Sequence, residues 1–260
     1  MRILVFAIAL AMTSALGSSA TAQAPAEKTS PGQTAMVNAA KSGKYIFIYF
    51  WKGDQQKAQA GWNTLQEGIQ INVDWADAVS VNATDPVEKK LVDQFGISRA
   101  PLPLALAISP SGVVTKPFTG NFKAGDIASA RVSACTEKCL KGLQSRKLVF
   151  VCIKKTPANG NRDEAPDGVK KFQEDKKFSG VTEVVFVDAE DKNEAQFIKE
   201  LEVDTKKTEA VTVFIAPPGA MVGKFDPSAT KEQFAAKLAA LQSNPCAGGK
   251  CGPGGCGPKK

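Results

Sequence analysis

The sequence predicts an α/β protein made of two tandem domains, each with a mixed central sheet covered by helices on both faces. Two largely apolar runs rich in β-branched and aromatic residues, residues 45–51 (YIFIYFW) and 147–153 (KLVFVCI), stand in separate halves of the chain. Each run opens the same succession of helical and strand patterns. Each succession closes on a similar hairpin, residues 107–114 (AISPSGVV) and 214–221 (FIAPPGAM). Repetition of a whole supersecondary order says more than any single motif. The 260 residues, 43% of them hydrophobic, suffice for two small cores.

In the first unit a short helix is expected over residues 33–40. The strand 45–51 is apolar throughout, as for a strand buried on both faces. Gly53-Asp54 reads as a turn with an N-cap, and a helix runs to about residue 70. A second strand covers 78–82. Asp85-Pro86 then starts a helix, with Asp85 as N-cap and Pro86 at the first helical position, and Gly96 ends it. Pro101 and Pro103 precede a strand over 104–109. The Pro110-Ser111-Gly112 turn leads back into a strand at 113–114. A long amphipathic helix, 124–143, is expected to close the unit.

The first two strands are joined through a helix and should be parallel. The hairpin makes the last two antiparallel. The second unit repeats the order: strand 147–153, helix 168–176, strand 184–187, helix 193–201, hairpin 211–216 and 221–225, and a helix over 227–241 entered from Asp226. These readings divide the chain into domain 1 (31–144) and domain 2 (145–242).

The termini carry different signals. Arg2 precedes an apolar run, 3–16, and Ala20-Thr21-Ala22 fits the small-x-small cleavage pattern of a secretory signal. The run falls short of the ~20 residues that span a bilayer. Residues 1–22 are therefore expected to be removed, with Ala24 as an alternative site. Residues 23–30 form a flexible leader, and the mature chain is expected in the periplasm or outside the cell, with no membrane segment. Residues 243–260 form a tail of Cys, Gly, Pro and Lys, expected to be disordered.

Lys+Arg is 33 against Asp+Glu 26, a net charge of +7. The lysines are scattered over helix surfaces, which reads as solvated surface and not as a nucleic-acid face. Histidine is absent. That excludes Ser-His-Asp and Cys-His catalytic units and every histidine metal site.

The strand 45–51, the segment Asn82-Ala83-Thr84-Asp85-Pro86 leading to Asp93-Gln94-Phe95-Gly96-Ile97, and a proline before a strand hairpin together resemble the thioredoxin-like superfamily. The resemblance covers about residues 33–143 of the first unit. It implies a cis-proline before the third strand. Pro103 has the better spacing to Gly112, and Pro101 the better spacing from Ile97. It also implies a Cys-x-x-C at the helix start after the first strand, where the helix dipole lowers a thiol pKa. This sequence has Trp51-Lys52-Gly53-Asp54-Gln55-Gln56 there. The equivalent loop of the second unit, 154–163, also lacks cysteine, and the position of its cis-proline falls near Thr208 or Ala210. Ordinary dithiol exchange is not expected at either site.

Six cysteines remain, in three groups. Cys135 and Cys139 form C-x-x-x-C on one helix face, about 6 Å apart. Such a pair can form a disulfide, hold Cu(I) or share Zn(II). Placed at the end of a closing helix, it is expected at the pole opposite the proline loop. Copper-handling thioredoxin-like proteins also use C-x-x-x-C, but at the active-site loop with a histidine. Cys152 lies within an apolar strand and reads as a small core hydrophobe. Cys246, Cys251 and Cys256 form C-x4-C-x4-C in the tail, either as soft-metal thiolates or as disulfide tethers.

The reading the sequence favours is an exported, non-catalytic protein that binds a soft metal ion or a thiol partner through Cys135, Cys139, Cys246, Cys251 and Cys256. The alternatives are an atypical thiol-disulfide oxidoreductase using Cys135 and Cys139, and a peptide- or protein-binding module. The resemblance places the module's surface along the cis-proline edge, with Trp51, Pro101 and Pro103.

Overall fold

The computed structural model describes residues 29–155, 164–207 and 210–243. The expected signal peptide, most of the leader and the tail with Cys246, Cys251 and Cys256 lie outside the described residues. The chain forms two four-stranded sheets. In the first, β1 (Tyr45–Trp51) lies between β2 (Ala76–Asn82) and β3 (Leu104–Ile108), and β4 (Val114–Thr119) forms the far edge. β1 and β2 are parallel, while β1/β3 and β3/β4 are antiparallel. This is the mixed sheet the sequence predicts.

The uniform apolarity of β1 has its reason in the two layers that cover it. Tyr45, Phe47 and Tyr49 point to one face and pack with Leu65 and Ile69 of α2 (Gln55–Ile71). Ile46, Ile48 and Phe50 point to the other. They pack with Ala39 of α1 (Pro31–Lys41) and with Leu91 and Val92 of α3 (Lys89–Gln94). Asp85 caps the short 3₁₀ turn Pro86–Glu88 by accepting from the Val87 N–H at 2.9 Å. Gly112 turns the β3–β4 hairpin at φ 84°, a left-handed conformation that glycine adopts without a Cβ clash.

The second sheet repeats the order as β6-β5-β7-β8, with β5 (Leu148–Lys154), β6 (Thr182–Asp188), β7 (Ala210–Ala216) and β8 (Ala220–Phe225). Phe150 and Cys152 face α5 (Asp167–Glu174) and α7 (Lys231–Ser243). Val149, Val151 and Ile153 face the opposite layer, which contains α4 (Ala134–Gln144) and α6 (Ala195–Glu200).

Two sequence expectations are corrected. The single helix over 124–143 is a 3₁₀ stretch, Ala124–Ala130, and a separate helix, α4. Ser133 breaks the run: its side chain accepts from the Thr136 N–H and caps α4. α4 does not close the first sheet. Cys139 sits in the core with Val149, Val151 and Val185 of the second sheet. A Cβ at Gly142 would lie 2.9 Å from Val149 Cγ2, so glycine lets the helix approach β5. A division at residues 144 and 145 would cut this helix from the sheet it covers. The closing helix α7 starts at Lys231, later than Asp226. The Asp226 backbone carbonyl accepts from Ala229 N in the preceding turn.

The equivalence of α4 and α1 is carried by a duplicated contact. Ser30, the N-cap of α1, donates its hydroxyl to Glu88 at 2.6 Å, and Gly32 N donates to the same carboxylate at 2.8 Å. Ser133 donates to Glu194 at 2.5 Å, and Cys135 N donates at 3.2 Å. Both glutamates are buried. Each follows an N-capping aspartate by three residues, Asp85 and Asp191. A further set of bonds ties α4 back to the first sheet. Glu137 accepts from Ser109 and Ser111 of the β3–β4 turn at 2.7 and 2.5 Å, and Gln144 bonds both N and O of Val114. No described helix is long and apolar enough to cross a membrane.

Candidate functional site

The resemblance to thioredoxin-like proteins implies a site at the C-terminal end of β1 and the start of α2. There Gly53 takes φ 74° and Asp54 accepts from Gln56 N at 2.9 Å, capping α2 with a carboxylate. Trp51 is half-buried, its indole N–H donating to Ser80 at 3.0 Å. The Tyr49 hydroxyl donates to Ala58 O at 2.8 Å, and its ring lies 5.9 Å from that of Trp62. Between them is a cavity of about 110 Å³, lined also by Gln59. Across the pole, the Leu102–Pro103 bond is cis. Of the two candidate prolines, Pro103 is the cis residue and Pro101 is not.

Register locates the equivalent pole in the second sheet. Tyr49 pairs with Ser80 and Ala105, and Cys152 pairs with Phe186 and Thr212, each two residues before the end of its strand. Cysteine thus stands where the first sheet carries tyrosine. The space opens into a cleft of about 310 Å³ lined by Cys152, Glu164, Asp167, Lys170, Val211 and Thr212, among others. Cys152 is itself only 5% exposed. Burial pushes its thiol up to about 11, against the opposing hydrogen bond from Thr212. Most of the loop 154–163 and Thr208 lie outside the described residues. The second cis bond is Pro217–Pro218, in the β7–β8 turn.

Cys135 and Cys139 both lie in α4. Both are free thiols. Cys135 donates its thiol to Phe186 O at 3.3 Å, toward the C-terminal end of β6. In the first sheet the start of α4 lies at the pole opposite the Pro103 loop, as expected: Val132 N meets the Tyr45 hydroxyl at the start of β1, and Glu137 meets the β3–β4 turn. Burial and then the Glu194 carboxylate push its thiol up to about 12. Cys139 is 3% exposed inside an apolar cluster, and burial raises it to about 11. The two sulfurs occupy unlike surroundings, and burial disfavours the thiolate at both. Among the described residues, no group of three or more Cys, Asp or Glu is arranged to hold a metal ion.

Sequence reasoning missed Glu88 and Glu194. Their signal was present as Asp-x-x-Glu in both halves, Asp85 to Glu88 and Asp191 to Glu194.

Strand order, strand senses and the crossover helix between the two parallel strands agree in the two sheets, and the first carries its cis-proline directly before β3. Both domains are thioredoxin-like. No family model and no curated protein matches the chain. Solved structures do. The first two thioredoxin domains of Saccharomyces cerevisiae Eps1p align at 15% identity and TM-score 0.34, over 80% of this chain and 96% of that one. The zinc-bound form of human ERp44 aligns at 9% identity and TM-score 0.33, over 86% of this chain and 61% of that one. The N-terminal domain of Enterococcus faecalis alkylhydroperoxide reductase AhpF aligns at 12% and 0.28, over 78% and 96%. At these scores the likenesses carry no argument of their own, and the thioredoxin-like assignment stands on the topology of this chain.

Proposed function

We propose that this is an exported, non-catalytic protein whose two thioredoxin-like domains act as a scaffold, and whose tail cysteines, Cys246, Cys251 and Cys256, bind a soft metal ion or a thiol partner. The observation that supports the non-redox reading is the state of the three described thiols. Cys135, Cys139 and Cys152 are all raised to between about 11 and 12 by burial, and none stands at the start of α2 or α5. A thiol held protonated is a poor nucleophile and a poor ligand. The tail differs in composition: its three cysteines are separated by Gly, Pro, Ala and Lys, with no apolar side chain large enough to bury them. Export rests on the N-terminal run and its small-x-small site.

The test is metal content of the full chain after anaerobic purification with Cu(I) or Zn(II), beside a variant with serine at all three tail positions. The parent is expected to retain metal, or, when offered a small disulfide, to form a mixed disulfide by exchange with release of one free small thiol, and the serine variant to do neither. Equal metal and thiol capture by both chains would remove the proposal.

A further inference from the structure

Each sheet has two edge strands, and three of the four are guarded. At β4, Pro117 has no N–H to offer, and the Gln144 amide bonds both polar groups of Val114 at 3.1 and 2.7 Å. At β8, Lys224 bonds the Glu202 backbone O at 2.7 Å and pairs with the Glu202 carboxylate at 3.5 Å. At β6, the Cys135 thiol covers the Phe186 O at 3.3 Å. Prolines, lysines and covering side chains keep an edge from templating another chain.

The fourth edge, β2, reads Ala-Asp-Ala-Val-Ser-Val-Asn, with neither proline nor lysine. Gly32 of α1 is the counterpart of Cys135, since the N–H of each bonds the buried glutamate of its own domain. Glycine has no side chain to lay over the strand, and a Cβ there would lie 2.6 Å from Leu91 Cδ2. Trp75 O and Ala83 N both bond β1. In this parallel pair the odd-numbered residues between them therefore face β1, and the even-numbered ones face outward. Ala76 N and Asn82 O are taken up by Asn72 O and Asp85 N. The outward groups left are the O of Ala76, the N and O of Ala78 and Ser80, and the N of Asn82. Among the described residues, none of these has a partner. Exposed apolar side chains flank the same strand. Ile71 and Val73 precede it at 72% and 49% exposure, Val87 follows it at 57%, and Val37 at 43% stands on α1, which packs on β2. Among the described residues, these are all the large apolar side chains that domain 1 exposes, which marks this edge as a contact surface.

We propose that β2 pairs with β2 of a second copy of this chain, antiparallel about a two-fold axis at Val79, which joins two four-stranded sheets into one. In that register Ala78 stands opposite the partner's Ser80, and Ala76 opposite the partner's Asn82. Every outward group named above then meets its complement, with none left over on either strand. Val79 lies beside the partner's Val79, and Asp77 beside the partner's Val81, so no like charges are opposed. A two-fold contact between identical surfaces requires this self-complementarity. The strand's own composition favours a second copy over a foreign segment. Its one charge, Asp77, is already held by Lys44 at 3.2 Å, which leaves no charge in β2 to select an oppositely charged partner. The tail thiols take no part, so this reading and the proposed function fail separately.

The experiment follows the mass of the full chain by sedimentation equilibrium from about 1 μM to about 1 mM, with reductant present so that tail disulfides contribute nothing. The mass is expected to rise from that of one chain toward two, as for a small contact. The amides of Ala78 and Ser80 should slow in hydrogen exchange over the same range. Val79→Lys and Val79→Glu each place like charges at the axis and should raise the dissociation constant about tenfold or more. Mixed in equal amounts, these two variants should pair again. Ser80→Pro removes an N–H that β1 does not use, at an exposed edge position where proline is tolerated, and should weaken pairing while leaving the circular dichroism melt unchanged. The proposal is overturned if the mass stays that of one chain up to the highest concentration, if the variants associate as the parent does, or if the mixed Val79 variants do not pair. It is also overturned if the Ala78 and Ser80 amides are already protected at the lowest concentration, which would assign the edge to another part of the same chain.

Discussion

Replacing Glu194 by alanine tests the latch that docks α4 on the second domain. The carboxylate accepts one bond from the Ser133 hydroxyl at 2.5 Å and one from Cys135 N at 3.2 Å. Hydrogen bonds to a charged group are worth roughly 1.5–3 kcal/mol each, and an orphaned donor costs a further desolvation penalty. Ser133 keeps Thr136 as a partner, which limits the loss. The expected cost is about 3 kcal/mol. The same change at Glu88 should cost the first domain somewhat more, because Gly32 N approaches to 2.8 Å. The assay separates the two domains. All three tryptophans, Trp51, Trp62 and Trp75, lie in the first domain, so fluorescence reports its unfolding while far-ultraviolet circular dichroism reports both. In urea, Glu194→Ala should lower the circular dichroism midpoint and leave the fluorescence midpoint close to the parent's. Glu88→Ala should lower the fluorescence midpoint. Parent-like midpoints for both variants would refute the latch. Equal movement of both signals in Glu194→Ala would refute its confinement to one domain.

Three further outcomes are expected. Gly168→Ala should destabilise the second domain by about 3 kcal/mol or more, since the new Cβ would lie 1.9 Å from the Ala229 carbonyl oxygen and backbone cannot yield as a side chain can; a circular dichroism urea titration measures it. Glu137→Ala with Gln144→Ala removes the ties between the β3–β4 turn and α4, and small-angle scattering should show a broader distribution of domain separations with each domain's own melt retained. The described thiols set a pH dependence. Their folded values lie near 11 to 12 against 9.0 for a free thiol, so the unfolded chain loses protons first. Stability from this source is full below pH 9.0 and declines as pH rises toward 11. Replacing Cys139 and Cys152 by alanine should flatten that decline in urea titrations between those pH values.

The sequence by itself determined the strands and most of the turns. Residues 45–51 read as a strand covered on both faces because every side chain is apolar, and β1 has those limits. Asp85-Pro86 and Gly112 announced their turns through chemistry that acts within three or four residues. The absence of a thiol at the start of α2 was equally plain, since a missing residue needs no coordinates.

Only the tertiary structure decided which sheet the helix with Cys135 and Cys139 covers. Ile127 and Ala130 bury against the first sheet, and Cys139 against the second. Side-chain periodicity reports that a helix has an apolar face but not what that face meets. Ser133 was a usable cap in sequence, yet its decisive partner, Glu194, lies 61 residues away. The tertiary structure also decided between Pro101 and Pro103. It raised three thiols whose spacing alone said nothing of their surroundings, because desolvation and a neighbouring carboxylate act through space.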